Sequence, residues 1–216
     1  MQDQAFKADA AKLWHWVANI CQNPDFCDLA AQSTATLLHP GFVGPDYPTD
    51  GTGTLVVGMN PGGGADTPNT EERMSLIDIR EQASLAAYDR LNEVAATLFA
   101  SWPIWKNNLL PLLKAARVDP AKVAYIHAVP FRVADNALLS GLYSASWKRV
   151  SSKQATLLNP GRILLAGKTA GQKLQPLVQI KSKIIMRSIG DMRFADQAPK
   201  IAASHAEIIT DKEFWQ

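Results

Sequence analysis

An apolar run from Leu55 to Met59 ends abruptly at Asn60-Pro61, and three glycines, Gly62, Gly63 and Gly64, follow. Glycines after a strand let backbone N–H groups approach a ligand with no Cβ in the way. Pro61 restricts Asn60 to extended backbone, which aims its carboxamide out of the strand end. A second apolar run carries His127 near its end, followed by Phe131 and Arg132. A third runs into Gly167-Lys168-Thr169, and a fourth into Ser204-His205. A carboxamide can orient a water, and an imidazole can donate to a leaving anion whether neutral or charged.

Other chemistries fit these residues less well. The run from Gly161 to Thr169, GRILLAGKT, places five residues between its glycines where a P-loop needs four. Those five also read as the strand itself, which leaves no loop to cradle a phosphate. Cys21 and Cys27 are the two cysteines, spaced C-x5-C, which matches no common zinc pattern and is too few for a disulfide framework. Neither a metal nor a cofactor is expected. Asp66, Glu71 and Glu72 follow the glycines closely, and carboxylates there suit the first turn of a helix.

The elements that must position these residues follow from periodicity. Ala5 to Cys21 repeats apolar residues at three and four, as a helix does, and Asp25 to Leu38 reads as a weaker second helix. Residues 39–53 hold His39 and several Gly and Pro, and read as connecting loop. Thr54 to Met59 is a short buried strand. Thr70 is placed to cap a helix that continues, with a break, to about Ala100. A short helix precedes Pro120, and Trp102 and Trp105 near it read as core. Lys122 to Val129 is a second strand stopped by Pro130, Ala137 to Leu158 a helix, Arg162 to Ala166 a third strand, and Thr169 to Leu177 a helix. Lys183 to Ile189 is a strand or an excursion, and Lys200 to Ser204 a fourth core strand.

Short apolar strands separated by helices imply an α/β fold, a three-layer α/β/α arrangement around a central four-stranded parallel sheet. With no repeats or low-complexity linker, residues 1–216 read as one domain with an N-terminal helical segment over about 1–38. Ligands of such sheets bind beyond the carboxyl ends of the strands, where Asn60, His127, Lys168 and His205 all fall.

The chain has 216 residues, 47% hydrophobic and 19% charged, as ordinary globular proteins do. No apolar run approaches the ~20 residues that span a bilayer, and the N-terminus lacks the pattern of a signal peptide, so no membrane partner and a cytoplasmic location are expected. The net charge of +2 conceals an asymmetry. Residues 1–100 hold 5 basic and 13 acidic side chains, whereas residues 148–193 hold 10 basic ones and Asp191 alone among acids. That basic segment either pairs with the acidic half or meets a polyanion.

The pentapeptide Gly58-Met59-Asn60-Pro61-Gly62 resembles the first motif of the uracil-DNA glycosylase superfamily, in the form carried by its single-strand-selective and mismatch-specific branches. AYIHAVPFR, NPGRILLAGKTAGQKL and KIAASHAE resemble later segments of that superfamily, so the similarity spans about residues 40–210 in order and spacing. The resemblance implies a uracil-DNA glycosylase-like fold and a hydrolase that removes uracil or a related deaminated base from single-stranded or mismatched DNA, working as a monomer without cofactor. It implies that Asn60 positions the attacking water and that His205 stabilises the departing base. It further implies that Met59, Gly62, Gly63, Gly64, His127 and Phe131 hold that base. Arg132, Lys168, Lys148 and Arg149 are the expected phosphate contacts. His127 stands about where many members keep an Asn, and His205 is followed by Ala206 rather than Pro-Ser. These departures leave open a binding module of the same fold without catalysis, or a hydrolase of a free nucleoside or nucleotide.

Overall fold

In the computed structural model, residues 2–30, 37–59, 69–98, 101–102, 105–115, 117–133, 136–166, 168–178 and 183–187 are described. Five strands form one sheet: β1 (Phe42–Val43), β2 (Thr54–Gly58), β3 (Val123–His127), β4 (Arg162–Ala166) and β5 (Lys183–Arg187), in the order β1-β3-β2-β4-β5. β2 pairs in parallel with β3 and β4, and β4 with β5. The register sets Gly58 opposite His127 and Val57 opposite Leu165.

The sheet is mixed rather than purely parallel, because β1 runs antiparallel on the outer edge of β3. β1 lies inside the segment expected to be loop. Two residues are too few to show a period-2 pattern, and the pairing is imposed from outside the segment. Gly41 takes φ +86 against Ile126 Cα, which would lie 2.9 Å from any Cβ there, and Gly44 N–H donates to the Val123 carbonyl at 2.9 Å. The Val43 N–H donates to the buried Oδ1 of Asn92 at 2.6 Å. The segment 183–187 resolves as a strand; the expected strand over 200–204 lies outside the described residues.

Helices follow where periodicity placed them, with local differences. α1 (Gln4–Ala18) is capped by Asp3. Two single-turn 3-10 helices and the four-residue α2 (Cys27–Ala30) replace the start of the longer helix expected from Asp25. α3 (Thr70–Glu81) is capped by Asn69 rather than Thr70: the Asn69 side chain accepts from Glu72 N–H at 2.9 Å. A break at 82–84 separates α3 from α4 (Leu85–Leu98). α5 (Leu110–Ala115) continues a π turn over Trp105–Leu109. A second π turn, Trp147–Ser151, joins α6 (Asn136–Ser146) to α7 (Ser152–Leu158), and α8 (Lys168–Leu174) follows β4.

Alternation along the strands sends side chains to both faces. Leu55, Val57, Ala124, Ile126, Ile163 and Leu165 join one apolar cluster with Trp14 and Val17 of α1, Ile79 of α3 and Leu158 of α7. Val56, Val123, Tyr125, Leu164 and Ala166 join a second with Trp105, Leu112 and Leu113. Strands buried on both faces lose the polar alternation of a half-exposed sheet, which is why β2, β3 and β4 read as continuous apolar runs. No helix among the described residues is long and apolar enough to cross a membrane.

Candidate functional site

Parallel pairing puts Gly58, His127, Ala166 and Arg187 at one edge of the sheet, the carboxyl ends of four strands. The next parallel strand in the chain after β2 is β3, on one side of it; the next after β4 is β5, on the other. Connections leaving β2 and β4 therefore diverge. Such a switch point is where open α/β sheets form a ligand crevice. Met59, 42% exposed, leaves β2 beside it, and Lys168 opens α8 on the β4 side.

The tip of β2 is built around missing bulk. A Cβ on Gly58 would collide with the Tyr125 hydroxyl, lie 2.8 Å from Tyr125 Cζ and 3.4 Å from His127 Nδ1. Tyr125 and His127 are two residues apart on β3, so they share a face, and their rings meet at a right angle with centroids 5.0 Å apart. Backbone bonds extend past the strands, from Ala128 N–H to the Gly58 carbonyl at 2.8 Å and from Val129 N–H to Met59 at 3.0 Å. The tip of β2 is thereby tied to the residues after β3.

His127 is buried, and its Nδ1 makes no hydrogen bond among the described residues. Its ring also meets His39 edge to face, centroids 5.7 Å apart, and His39 in turn meets Trp102 at 5.5 Å. His39 is pinned by its own segment. Its N–H donates to the Pro130 carbonyl, the Pro40 carbonyl accepts from Gln154 Nε2 at 2.6 Å, and the Gly41 carbonyl accepts from Trp14 Nε1 at 3.0 Å. His39 Nδ1 accepts from Gly41 N–H at 3.2 Å, which leaves the proton of the neutral ring on Nε2. That Nε2 stands 3.6 Å from Glu72 Oε1, too long for a hydrogen bond but close enough for the carboxylate to bear on the charge of the ring.

Both imidazoles are uncharged at neutral pH. Burial holds His39 below the ordinary imidazole value; the Glu72 carboxylate opposes this and the Arg132 guanidinium adds to it. Burial holds His127 further down, and His39 and Arg132 act in the same direction. Burial also keeps the Tyr125 hydroxyl protonated to well above its ordinary range. The cluster is a set of neutral donors and acceptors with one carboxylate behind it. Among the described residues no group of three or more His, Cys, Asp or Glu could hold a metal ion.

The residues singled out from sequence distribute as follows. Met59 and His127 come together at the β2–β3 tips. Phe131 is 1% exposed and packs within the first apolar cluster, so its ring serves the core there. Arg132 is half-buried, near enough to both histidines to bear on their charge. Lys148 is exposed on the π turn, and the same turn is tied to β3 by Ser151 Oγ, which donates to the carbonyls of His127 and Ala128 at 2.8 and 3.1 Å. Arg149 turns away: it donates to Asp28 Oδ2 at 2.7 Å and to the Asp25 carbonyl, and stacks 4.7 Å over the Phe26 ring. For that residue, pairing of the basic segment with the acidic half occurs within the fold. Asn60, Gly62, Gly63, Gly64 and His205 lie outside the described residues.

Sequence reasoning placed His39 in a connecting loop, and gave Tyr125 no role. The spacing of Tyr125 and His127 at i and i+2 on an apolar strand was the available signal for the second. For His39 no local signal exists, since its neighbours arrive from β3, α3 and the segment around Trp102. No protein-family model matches the chain, and no curated protein matches it.

Proposed function

We propose that this chain is a DNA glycosylase-type hydrolase, which cleaves the N-glycosidic bond of uracil or a related deaminated base in single-stranded or mismatched DNA. In this reading residues 1–216 form a three-layer uracil-DNA glycosylase-like domain that acts as a cytoplasmic monomer without metal or cofactor. The observation that carries the reading is the strand order. It sets β2, whose tip leads into Met59-Asn60-Pro61-Gly62, between His127 on one side and the start of α8 on the other.

The chemistry assigned to these residues is hydrolysis at the sugar C1′. The C1′–N bond breaks and its electron pair leaves with the base. A water oxygen adds to C1′, and the proton it releases neutralises the departing base. Asn60 has no useful basicity, so its part is to orient that water as cationic charge builds on the sugar. His205 donates to the base anion, the preorganised contact that contributes most when aimed where charge develops. Met59 and the backbone of Gly62, Gly63 and Gly64 hold the extruded base, with His127 at its edge. Extrusion from a stack costs a few kcal/mol, which phosphate contacts from Lys148, Lys168 and Arg132 offset.

The test is a gel assay with uracil-containing single-stranded and mismatched oligonucleotides. Alkali-labile abasic product, lost in Asn60→Ala, is the expected result. Salt-sensitive binding without product identifies instead a non-catalytic module of the same fold. Release of base from free nucleosides or nucleotides alone identifies a hydrolase of small substrates.

A further inference from the structure

The π turn Trp147–Ser151 and α7 bury Trp147, Val150, Ala155 and Leu158, and among these apolar side chains sit two polar ones, Ser151 and Gln154, both at 0% exposure. A buried hydroxyl or carboxamide needs a partner within the protein. Gln154 Nε2 donates to the Pro40 carbonyl at 2.6 Å. Ser151 Oγ shares its one proton between the carbonyls of His127 and Ala128, at 2.8 and 3.1 Å. A helical serine ordinarily returns its hydroxyl to a carbonyl one turn back. Its neighbour Ser152 does so, donating to the Lys148 carbonyl at 3.3 Å, whereas Ser151 reaches across to the end of β3. Wide turns of this kind are rare inside helices and frequent at functional sites.

The two carbonyls that Ser151 holds belong to the peptide groups that carry the tip of β2. Gly58 and His127 are the last paired residues of the β2–β3 ladder. Past them, the Ala128 N–H donates to the Gly58 carbonyl at 2.8 Å and the Val129 N–H to the Met59 carbonyl at 3.0 Å. The His127 carbonyl and the Ala128 N–H are the two ends of one planar peptide group, and the Ala128 carbonyl and the Val129 N–H are the two ends of the next. Fixing the oxygen of a planar group fixes the direction of its N–H. An accepting carbonyl also polarises the N–H of its own group, which strengthens the bond that N–H makes. One buried hydroxyl therefore aims both amides that hold Gly58 and Met59.

We infer that Ser151 is a positioning residue, which sets the backbone of Met59 from the far side of β3 and so the point from which the Asn60-Pro61-Gly62 segment departs. The inference rests on the proposed glycosylase reading for the reaction that this alignment serves. Ser151 is buried and touches no substrate, so its contribution falls on the chemical step and leaves binding of the oligonucleotide, which the exposed Lys148 of the same turn serves, unaltered.

The test joins backbone-amide hydrogen exchange on the full chain to the kinetics of abasic-site formation in a uracil-containing single-stranded oligonucleotide. In Ser151→Ala, exchange at the Ala128 and Val129 amides is expected to quicken about tenfold, while the Val56 and Leu164 amides inside β2 and β4 keep their rates. The same variant is expected to lose about tenfold in kcat with KM held within about twofold. Ser151→Cys keeps the volume and weakens the donor, and is expected to fall between Ser and Ala in both readouts. Circular dichroism checks that each variant folds, and should Ser151→Ala fail to, Ser151→Cys against the unaltered protein decides. A Ser151→Cys protein equal to the unaltered one, exchange that quickens equally throughout the sheet, or a change confined to KM overturns the inference while leaving the glycosylase reading standing. Local quickening at Ala128 and Val129 without abasic product from any of the proteins sustains the placing of Met59 by Ser151 and removes the enzyme.

Discussion

Gly58 and Tyr125 interlock across the β2–β3 ladder: the tyrosine hydroxyl fills the volume that a side chain on Gly58 would need, with Cζ 2.8 Å from an ideal Cβ position. Val56, not Gly58, is the ladder partner of Tyr125, so the tyrosine leans along its own strand toward the sheet edge to reach that space. The glycine that precedes Met59-Asn60 is therefore a packing requirement.

Gly58→Ala is expected to destabilise the protein by about 1–3 kcal/mol, the usual cost of forcing an extra carbon into a packed site. Tyr125→Phe in the same background removes the hydroxyl and recovers part of the loss. Urea unfolding of the three variants measures this. An unchanged midpoint in Gly58→Ala would mean that Tyr125 yields without strain.

Among the described residues β1 is an edge strand, and Asn92 takes up one of its outward backbone groups. Its Oδ1 accepts from the Val43 N–H at 2.6 Å and its Nδ2 donates to the Tyr88 carbonyl at 2.8 Å, and Asn92 is buried. Asn92→Leu leaves the Val43 amide without an acceptor, at a cost of about 1–3 kcal/mol. Hydrogen exchange at Val43 is expected to accelerate more than exchange in β2. Equal acceleration everywhere would indicate global loosening instead.

Stability should fall on acidification below about pH 6.5. His39 and His127 have folded-state values below the ordinary 6.5, so the unfolded chain takes up protons first. The stability they confer is whole above pH 6.5 and declines as pH drops toward the folded-state values. Between pH 6.5 and 5, denaturation midpoints of His127→Asn should depend on pH less steeply than those of the unaltered protein. An identical slope would assign the pH response to other groups.

Lys148 and Arg149 are adjacent in sequence but differ in what they face. Lys148 is exposed, while Arg149 is engaged by Asp28, the Asp25 carbonyl and the Phe26 ring. Lys148→Ala is expected to lower the slope of log K against log salt for oligonucleotide binding by about 1, the signature of one lost phosphate contact. Arg149→Ala should leave that slope nearly unchanged and free the segment around α2, visible as faster proteolysis there. The reverse pattern would place Arg149 on the nucleic acid.

The sequence by itself determined the strands β2, β3 and β4 and most helices, because burial on both sheet faces leaves continuous apolar runs and burial on one helix face leaves a three-and-four repeat. It also determined that Met59 and His127 stand at strand ends on one edge, since each follows its own apolar run. It missed β1, whose two residues are paired only because Gly41, Gly44 and Asn92 hold them against β3. It gave Thr70 as the cap of α3, where Asn69 takes that place; both have capping side chains and only backbone geometry separates them. The order of strands, the Gly58–Tyr125 interlock and the Glu72–His39–His127 chain were decided by tertiary structure alone. Each of these joins residues from different elements, and the forces responsible (exclusion of a Cβ, edge-to-face ring packing, a carboxylate held near a buried imidazole) act across space and leave no period in the chain.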